Sequence, residues 1–268
     1  IQYPEQSDLA LERKLEEKYG LTEALIAVPA YEQSSDQEVA FQAVDYILRV
    51  LKKNMVFGMT WGRAMHEFVE QLAKDERLRS LSFQNVKVVP FLGTPGAIQS
   101  DSWNTTTYSN TLATKVGNLL HCASYNLSAP MYVEGTKEKE LIESIDEIAK
   151  VLHMAETADI ALIGIGSMQD DSSIIKAEIR TKEEYKELVR KGAVGEIVGR
   201  IYDKNGQTVD EDLKRKMVGI SLDKIAKIPV RVGMSYGKDK IEAIKGAIAG
   251  GLVNVLVTDV PTAELLLK

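Results

Sequence analysis

Runs of consecutive apolar residues, rather than alternating ones, most constrain what this chain can fold into. Residues 159–166 read Asp-Ile-Ala-Leu-Ile-Gly-Ile-Gly. A strand with one wet face alternates apolar and polar side chains, whereas an unbroken apolar run is buried on both faces. Similar runs lie at 23–28 (closed by Pro29), 55–57, 85–90, 228–234 and 253–257. Between them, apolar residues recur at helical spacing. Leu9, Leu11, Leu15 and Tyr19 follow a capping Ser7 and stop at Gly20. Residues 37–53 carry Val39, Ala43, Ile47, Val50 and Leu51, with Asp36 and Glu38 suited to the helix dipole. Further helices are predicted at 64–72, 110–123, 139–153, after a capping Thr181, at 240–249 and at 261–267. Strand alternating with helix predicts an α/β fold: a mostly parallel sheet with helices on both faces. From Glu196 the pattern changes, and Asn205-Gly206 between EIVGRIYD and Thr-Val predicts a type I′ hairpin turn. No repeat or linker divides residues 1–268, so one domain is expected.

Charge and composition remove several functions. With 268 residues and a net charge of −6, the chain has no basic face with which to grip nucleic acid by itself. Its single cysteine, Cys122, precludes an intrachain disulfide and a cysteine-rich zinc site, and its helical context reads as a small buried hydrophobe. His66, His121 and His153 are far apart, fall on predicted helices and lack ligand spacing, so no metal is expected. No apolar run approaches the roughly 20 residues of a membrane span, and no signal peptide opens the chain; a cytoplasmic protein is the expectation.

The stretch most suited to chemistry is 55–68, MVFGMTWGRAMHEF. A short apolar strand runs into Gly58-Met59-Thr60-Trp61-Gly62, then Arg63-Ala64 opens an amphipathic helix. Such a turn aims unpaired N–H groups and the positive end of the helix dipole into one crevice, which suits a phosphate. The pattern is neither GxGxxG nor GxxxxGK[ST], so no dinucleotide, nucleoside triphosphate or other cofactor is expected. A plain βα turn is the alternative.

Several blocks together are more specific: GMTWGRAM, YSNTLA, SAPMYV, ADIALIGIGSM, GAVGEIVGRIYDKNGQ, VGISL and GKDKIEAIKGAIAGGLVNVLVTDVPTAELLL. This set resembles the effector-binding domain of SorC/DeoR-type (CggR-like) bacterial transcriptional regulators, from about residue 9 to the end. The resemblance implies a Rossmann-like fold akin to ribose-phosphate isomerase, glucosamine-phosphate deaminase and CoA-transferases. It also implies a phosphorylated sugar as effector and self-association to a dimer or tetramer. DNA would be reached only through an N-terminal helix-turn-helix unit absent from this chain. Carried over by position, Thr60, Trp61, Gly62, Arg63 and Ala64, with Gly58 before them, match the phosphate loop. Glu196 matches an acid that contacts sugar hydroxyls; alternatively it is an edge charge before a strand. Lys240 matches a lysine near the phosphate or ring oxygens, and a cation at a helix start otherwise opposes the dipole. Gly164 and Gly166 let ligand approach backbone, or only form a tight turn. Tyr108 and Asn110 stand where members bind hydroxyls. An arginine that some members carry after the 85–90 strand is replaced by Phe91-Leu92-Gly93, which favours a monophosphate.

The competing reading is an isomerase or deaminase of the same fold, with a base among Glu196, Asp170, Asp171 and Asp259. No paired-carboxylate motif follows the 159–166 strand, where the sequence is IGIGSMQDD. A nicotinamide-dependent dehydrogenase ranks last, for want of GxGxxG.

Overall fold

The computed structural model describes residues 8–28, 35–95, 105–170 and 172–268. Seven of its strands form one sheet in which every pairing is parallel: β1 (Glu23–Ala27), β2 (Val56–Met59), β3 (Lys87–Pro90), β4 (Ala123–Ser124), β5 (Ile160–Gly164), β9 (Val230–Met234) and β10 (Val255–Asp259). Their spatial order is β1-β10-β9-β5-β2-β3-β4. A second, antiparallel sheet joins β6 (Gly166–Ser167), β7 (Ala193–Ile197) and β8 (Arg200–Asp203), in that order.

Unbroken apolar strands have both faces covered, and side chains within one strand divide between them. Leu25, Ala27, Phe57, Met59, Ile160 and Leu162 pack beneath α2 (Ser35–Val50), α3 (Arg63–Leu72) and α4 (Ser109–Leu119). Ala24, Ile26, Ala161 and Ile163 face the opposite core with α1 (Leu9–Tyr19), α11 (Ile241–Ala249), α12 (Val260–Leu267) and the small sheet. The remaining helices, α5 (Thr136–Glu143), α6 (Asp146–Glu156), α7 (Ser173–Lys176), α8 (Lys182–Arg190), α9 (Glu211–Lys216) and α10 (Leu222–Ile225), belong to the connections.

The sheet edge at β1 is closed by side chains rather than by another strand. Glu16 Oε1 accepts the Ala24 N–H at 2.9 Å and Glu12 Oε1 accepts the Ile26 N–H at 3.0 Å. Helix α1 thereby occupies donors that an open edge offers to other chains. Its last turn also holds α12, through Lys18 Nζ on Leu266 and Leu267 O and Tyr19 Oη on Leu266 O.

Several local expectations need correcting. Asp8 caps α1 through the N–H groups of Ala10 and Leu11; Ser7 lies outside the described residues, as do Pro29, Asp171 and the 96–104 part of the hydroxyl-rich loop. The helix expected at 139–153 is two helices parted at Ser144-Ile145. Helix α4 ends at Leu119, and His121 turns the chain with φ 52°, so neither it nor Cys122 is helical. Cys122 is half-buried, and burial pushes its thiol up to about 11. The β7–β8 hairpin turns at Val198-Gly199, with φ 54° and 69°, not at Asn205-Gly206. Asn205-Gly206 does reverse the chain, since Tyr202 pairs antiparallel with Thr208. There only Gly206 takes positive φ, so the turn is not type I′. A Cβ on Gly206 would meet Gly250 Cα at 2.5 Å, which is why the glycine is needed.

If Glu12 seals the edge, Glu12→Ala lowers stability by about 1–2 kcal/mol while Glu12→Gln, which keeps an acceptor, changes it little. Urea unfolding measures both, and equal stabilities of Glu12→Ala and wild type would mean that the Glu12 hydrogen bond does not hold the edge.

Candidate functional site

From β2 the chain steps outward to β3 and β4, whereas β5 lies on the other side of β2 and leads to β9 and β10. The carboxyl ends of β2 and β5 therefore flank the reversal of strand order, where open α/β sheets leave a crevice. Residues 60–62 emerge there. Thr60 is buried; its N–H donates to Leu162 O at 3.1 Å, and its Oγ1 accepts the Gly164 N–H at 3.0 Å. Gly62 takes φ 103°, conformational space that side chains rarely enter, and its N–H donates to Thr107 O at 3.0 Å.

Helix α3 starts at the next residue with no side-chain cap and no acid in its first turn. The N–H groups of Ala64 and Met65 have no acceptor within the helix, because the backbone bond back to Gly62 O is made first by His66, at 3.0 Å. The positive end of the helix dipole thus meets the crevice without a neutralising side chain of its own helix.

Across the crevice, Gly166 stands opposite Glu196 in the β6–β7 register. A Cβ on Gly166 would lie 2.8 Å from Glu196 Oε2, so glycine makes room for the carboxylate. Gly164 is roomier: its Cβ would stand 3.5 Å from Trp61 O and 3.7 Å from Thr60 Oγ1. Glu196 is 5% exposed and sits inside β7, not at a strand edge. It accepts the N–H of Gly199, placed by the Val198-Gly199 turn, and the indole N–H of Trp61. Burial pushes its carboxyl above the usual range, opposed by those two hydrogen bonds and by the charges of Lys240 and Arg200.

Lys240 precedes α11, at the end of a 3₁₀ turn over Lys238–Lys240. Its Nζ donates to Ser167 Oγ at 3.0 Å and lies 3.7 Å from Asp239 Oδ2, while Ser167 Oγ donates to Asp239 Oδ2 at 3.0 Å. Asp239 offsets part of the conflict between this cation and the helix dipole. Trp61 links the two walls, with its backbone in the α3 turn and its indole on Glu196. Ser167 and Asp239 were missed in the sequence: nothing in the pattern marks Ser167, and Asp239 reads as one charge in a charged turn.

The structure thus groups Thr60, Trp61, Gly62, Ala64, Gly164, Gly166, Glu196 and Lys240. Arg63 is exposed at the start of α3, where its charge acts on Tyr236. Two further candidates, Gly58 and Asn110, have other work. Gly58 lies within β2, where a Cβ would be 1.9 Å from the Phe91 ring, so its glycine serves packing. Asn110 clamps Leu127, donating to Leu127 O at 3.1 Å and accepting its N–H at 2.8 Å, and also donates to Thr94 Oγ1 at 2.7 Å. Tyr108 is buried immediately before α4. Among the acids weighed as bases, Asp259 caps α12 through the Thr262 N–H, and Asp170 is exposed near Lys182. Among the described residues no cluster of three or more His, Cys, Asp or Glu could hold a metal, and no helix is long and apolar enough to cross a membrane. An open groove of about 920 Å³ lies between α6 and Tyr125–Ser128 and is lined by none of these residues.

The family model for the Sugar-bind family, a sugar-binding domain, matches residues 3–268. The chain belongs to this family. Among curated Sugar-bind relatives, the sorbitol operon regulator of Klebsiella pneumoniae is 30% identical over all of this chain and 83% of its own length. The deoxyribonucleoside regulator of Bacillus subtilis is 26% identical over 97% of the chain and 80% of its own length. Among solved structures, the full-length sorbitol operon regulator SorC of K. pneumoniae superposes with a TM-score of 0.86 at 28% identity, covering 100% of this chain and 83% of that one. A sor operon regulator from Shigella flexneri gives 0.85 at 26% identity, covering 97% and 99%. The fold and the SorC/DeoR-type Sugar-bind resemblance are thereby established: this is a sugar-binding domain of the kind found in transcriptional regulators.

Two measurements examine the site without ligand. Folded Glu196 keeps its proton to higher pH than the unfolded chain, so the native state binds more protons above about pH 4.3. Stability is then lost as pH rises through that window. Wild type should lose stability relative to Glu196→Gln over that rise, and a pH-independent difference would contradict the buried, raised carboxyl. Asn110→Ala should cost about 1–3 kcal/mol in urea unfolding, since it leaves the Leu127 N–H unpaired; an unchanged midpoint would release Asn110 from the structural role.

Proposed function

We propose that this domain is the sensor of a bacterial transcriptional regulator of carbohydrate metabolism, and that its effector is a phosphorylated sugar. The observation that carries the reading is the start of α3, without a side-chain cap, beside buried Glu196 and the charge of Lys240. The helix start supplies N–H donors and positive potential for a phosphate. Glu196 supplies a carboxylate, which accepts sugar hydroxyls. Lys240 supplies a cation able to reach phosphate or ring oxygens. Support also comes from relatives named as regulators of sorbitol and deoxyribonucleoside genes. In this reading the domain works in the cytoplasm as a dimer or tetramer, and effector binding alters DNA binding by a separate reader domain.

The isomerase or deaminase alternative draws on Glu196 alone, since a buried carboxyl with raised pKa resembles a tuned base. Its oxygens already accept from Gly199 and Trp61, and Asp239, the other acid on this wall, is held by Ser167 and Lys240. No turnover of ribose 5-phosphate or glucosamine 6-phosphate is expected; normal enzymatic rates in a coupled assay would overturn this.

Calorimetry against sugar phosphates and their parent sugars tests the main reading. The phosphates should bind and the parent sugars should bind poorly. Ala64→Asp places a carboxylate where the anion would sit, and acids at a helix start favour the helix, so the fold is kept. It is the cleaner substitution, because any side chain at Gly62 adds backbone strain. Ala64→Asp and Lys240→Ala should each weaken sugar-phosphate binding by about 1.5–3 kcal/mol, or roughly tenfold to a hundredfold. Unchanged affinity in folded Ala64→Asp would mean that the turn is only a turn.

A further inference from the structure

The Asp239–Ser167–Lys240 triad is not explained by phosphate binding at α3. A site that needed only a cation would leave Lys240 without a carboxylate neighbour. Here Asp239 Oδ2 lies 3.7 Å from Lys240 Nζ and accepts from Ser167 Oγ at 3.0 Å. Ser167 is buried in β6, next to the glycine that faces Glu196, so the three groups are anchored to the wall of the crevice. Around Lys240 stand two carboxylates, Glu196, buried, and Asp239, part exposed. A neutral polyol end can donate hydroxyl hydrogens to both carboxylates. A second phosphate at that end would face two like charges and one lysine already paired.

We infer that Asp239 is a specificity residue that restricts the site to sugar monophosphates by disfavouring a second anionic group at the Lys240 end. The inference rests on the proposed phosphate site at α3 and adds to it the charge limit of the opposite end. Ser167 is a positioning residue, fixing the Asp239 carboxylate beside Lys240.

The test is calorimetry with matched pairs: fructose 6-phosphate against fructose 1,6-bisphosphate, and glucose 6-phosphate against glucose 1,6-bisphosphate. Inorganic phosphate serves as the probe of the α3 site alone. Wild type should bind the monophosphate of a pair at least about tenfold more tightly, a gap that narrows at high salt because Asp239 is part exposed. Asp239→Asn, which keeps the shape and removes the charge, should close most of that gap, read as the ratio of the two affinities within each pair. Asp239→Glu should keep the preference. A wild type that prefers bisphosphates, or a gap untouched by Asp239→Asn in protein that still binds phosphate, overturns this inference and leaves the α3 site standing. Failure of every phosphate, inorganic phosphate included, to bind overturns both.

Discussion

One hydrogen bond holds the crevice in shape: the Gly164 N–H donating to Thr60 Oγ1 at 3.0 Å. It joins the ends of two parallel strands just beyond their ladder, where no further backbone pairing fixes their separation. Both partners are constrained. Thr60 is buried and its own N–H is spent on Leu162, so its hydroxyl is oriented from both sides. With the two strand ends tied, residues 61 and 62 have little freedom, and Gly62 must enter positive φ to start α3 where it does. A buried polar pair of this kind is costly to leave half-made, and so it specifies one geometry.

The second wall depends on the small sheet. Its first strand, β6, leaves the end of β5 and carries Gly166 against Glu196. The β7–β8 turn then places the Gly199 N–H on the same carboxylate. Burying a charged group is expensive unless it is paired and hydrogen-bonded. Glu196 has Gly199, Trp61, Lys240 and Arg200 to offset the cost, and burial still dominates, which is why its carboxyl stands above the usual range. A group kept under such tension responds to hydroxyls brought by a ligand more than a solvated surface acid would.

The fold was largely legible, because apolar strand runs and helical spacing report burial directly. The parallel sheet, its two covered faces and the strand–turn–helix at 55–72 all follow from pattern. Turn geometry was less legible. Asn-Gly at 205–206 drew attention from Val198-Gly199, where a β-branched residue takes positive φ because the Glu196 carboxylate and the strand pairing on either side fix the turn. Of the site, Thr60, Gly62, Glu196 and Lys240 came from motif position, yet their convergence depends on the strand order, which the sequence does not print. Gly58 and Asn110 show the limit: each has the residue type of a binding group, and each is used for packing or for clamping a neighbouring peptide. Ser167 and Asp239 carry no signature, because contacts across 72 residues are visible only once the chain is folded.

The central claim is that an anion sits on the first-turn amides of α3. Amide chemical shifts followed by two-dimensional ¹H–¹⁵N NMR during titration with a sugar phosphate test it residue by residue. The account predicts the largest shifts at the amides of Ala64 and Met65 and at the Trp61 indole N–H, saturating together. Saturable shifts confined to the groove between α6 and residues 125–128, with the α3 amides unmoved, would contradict it.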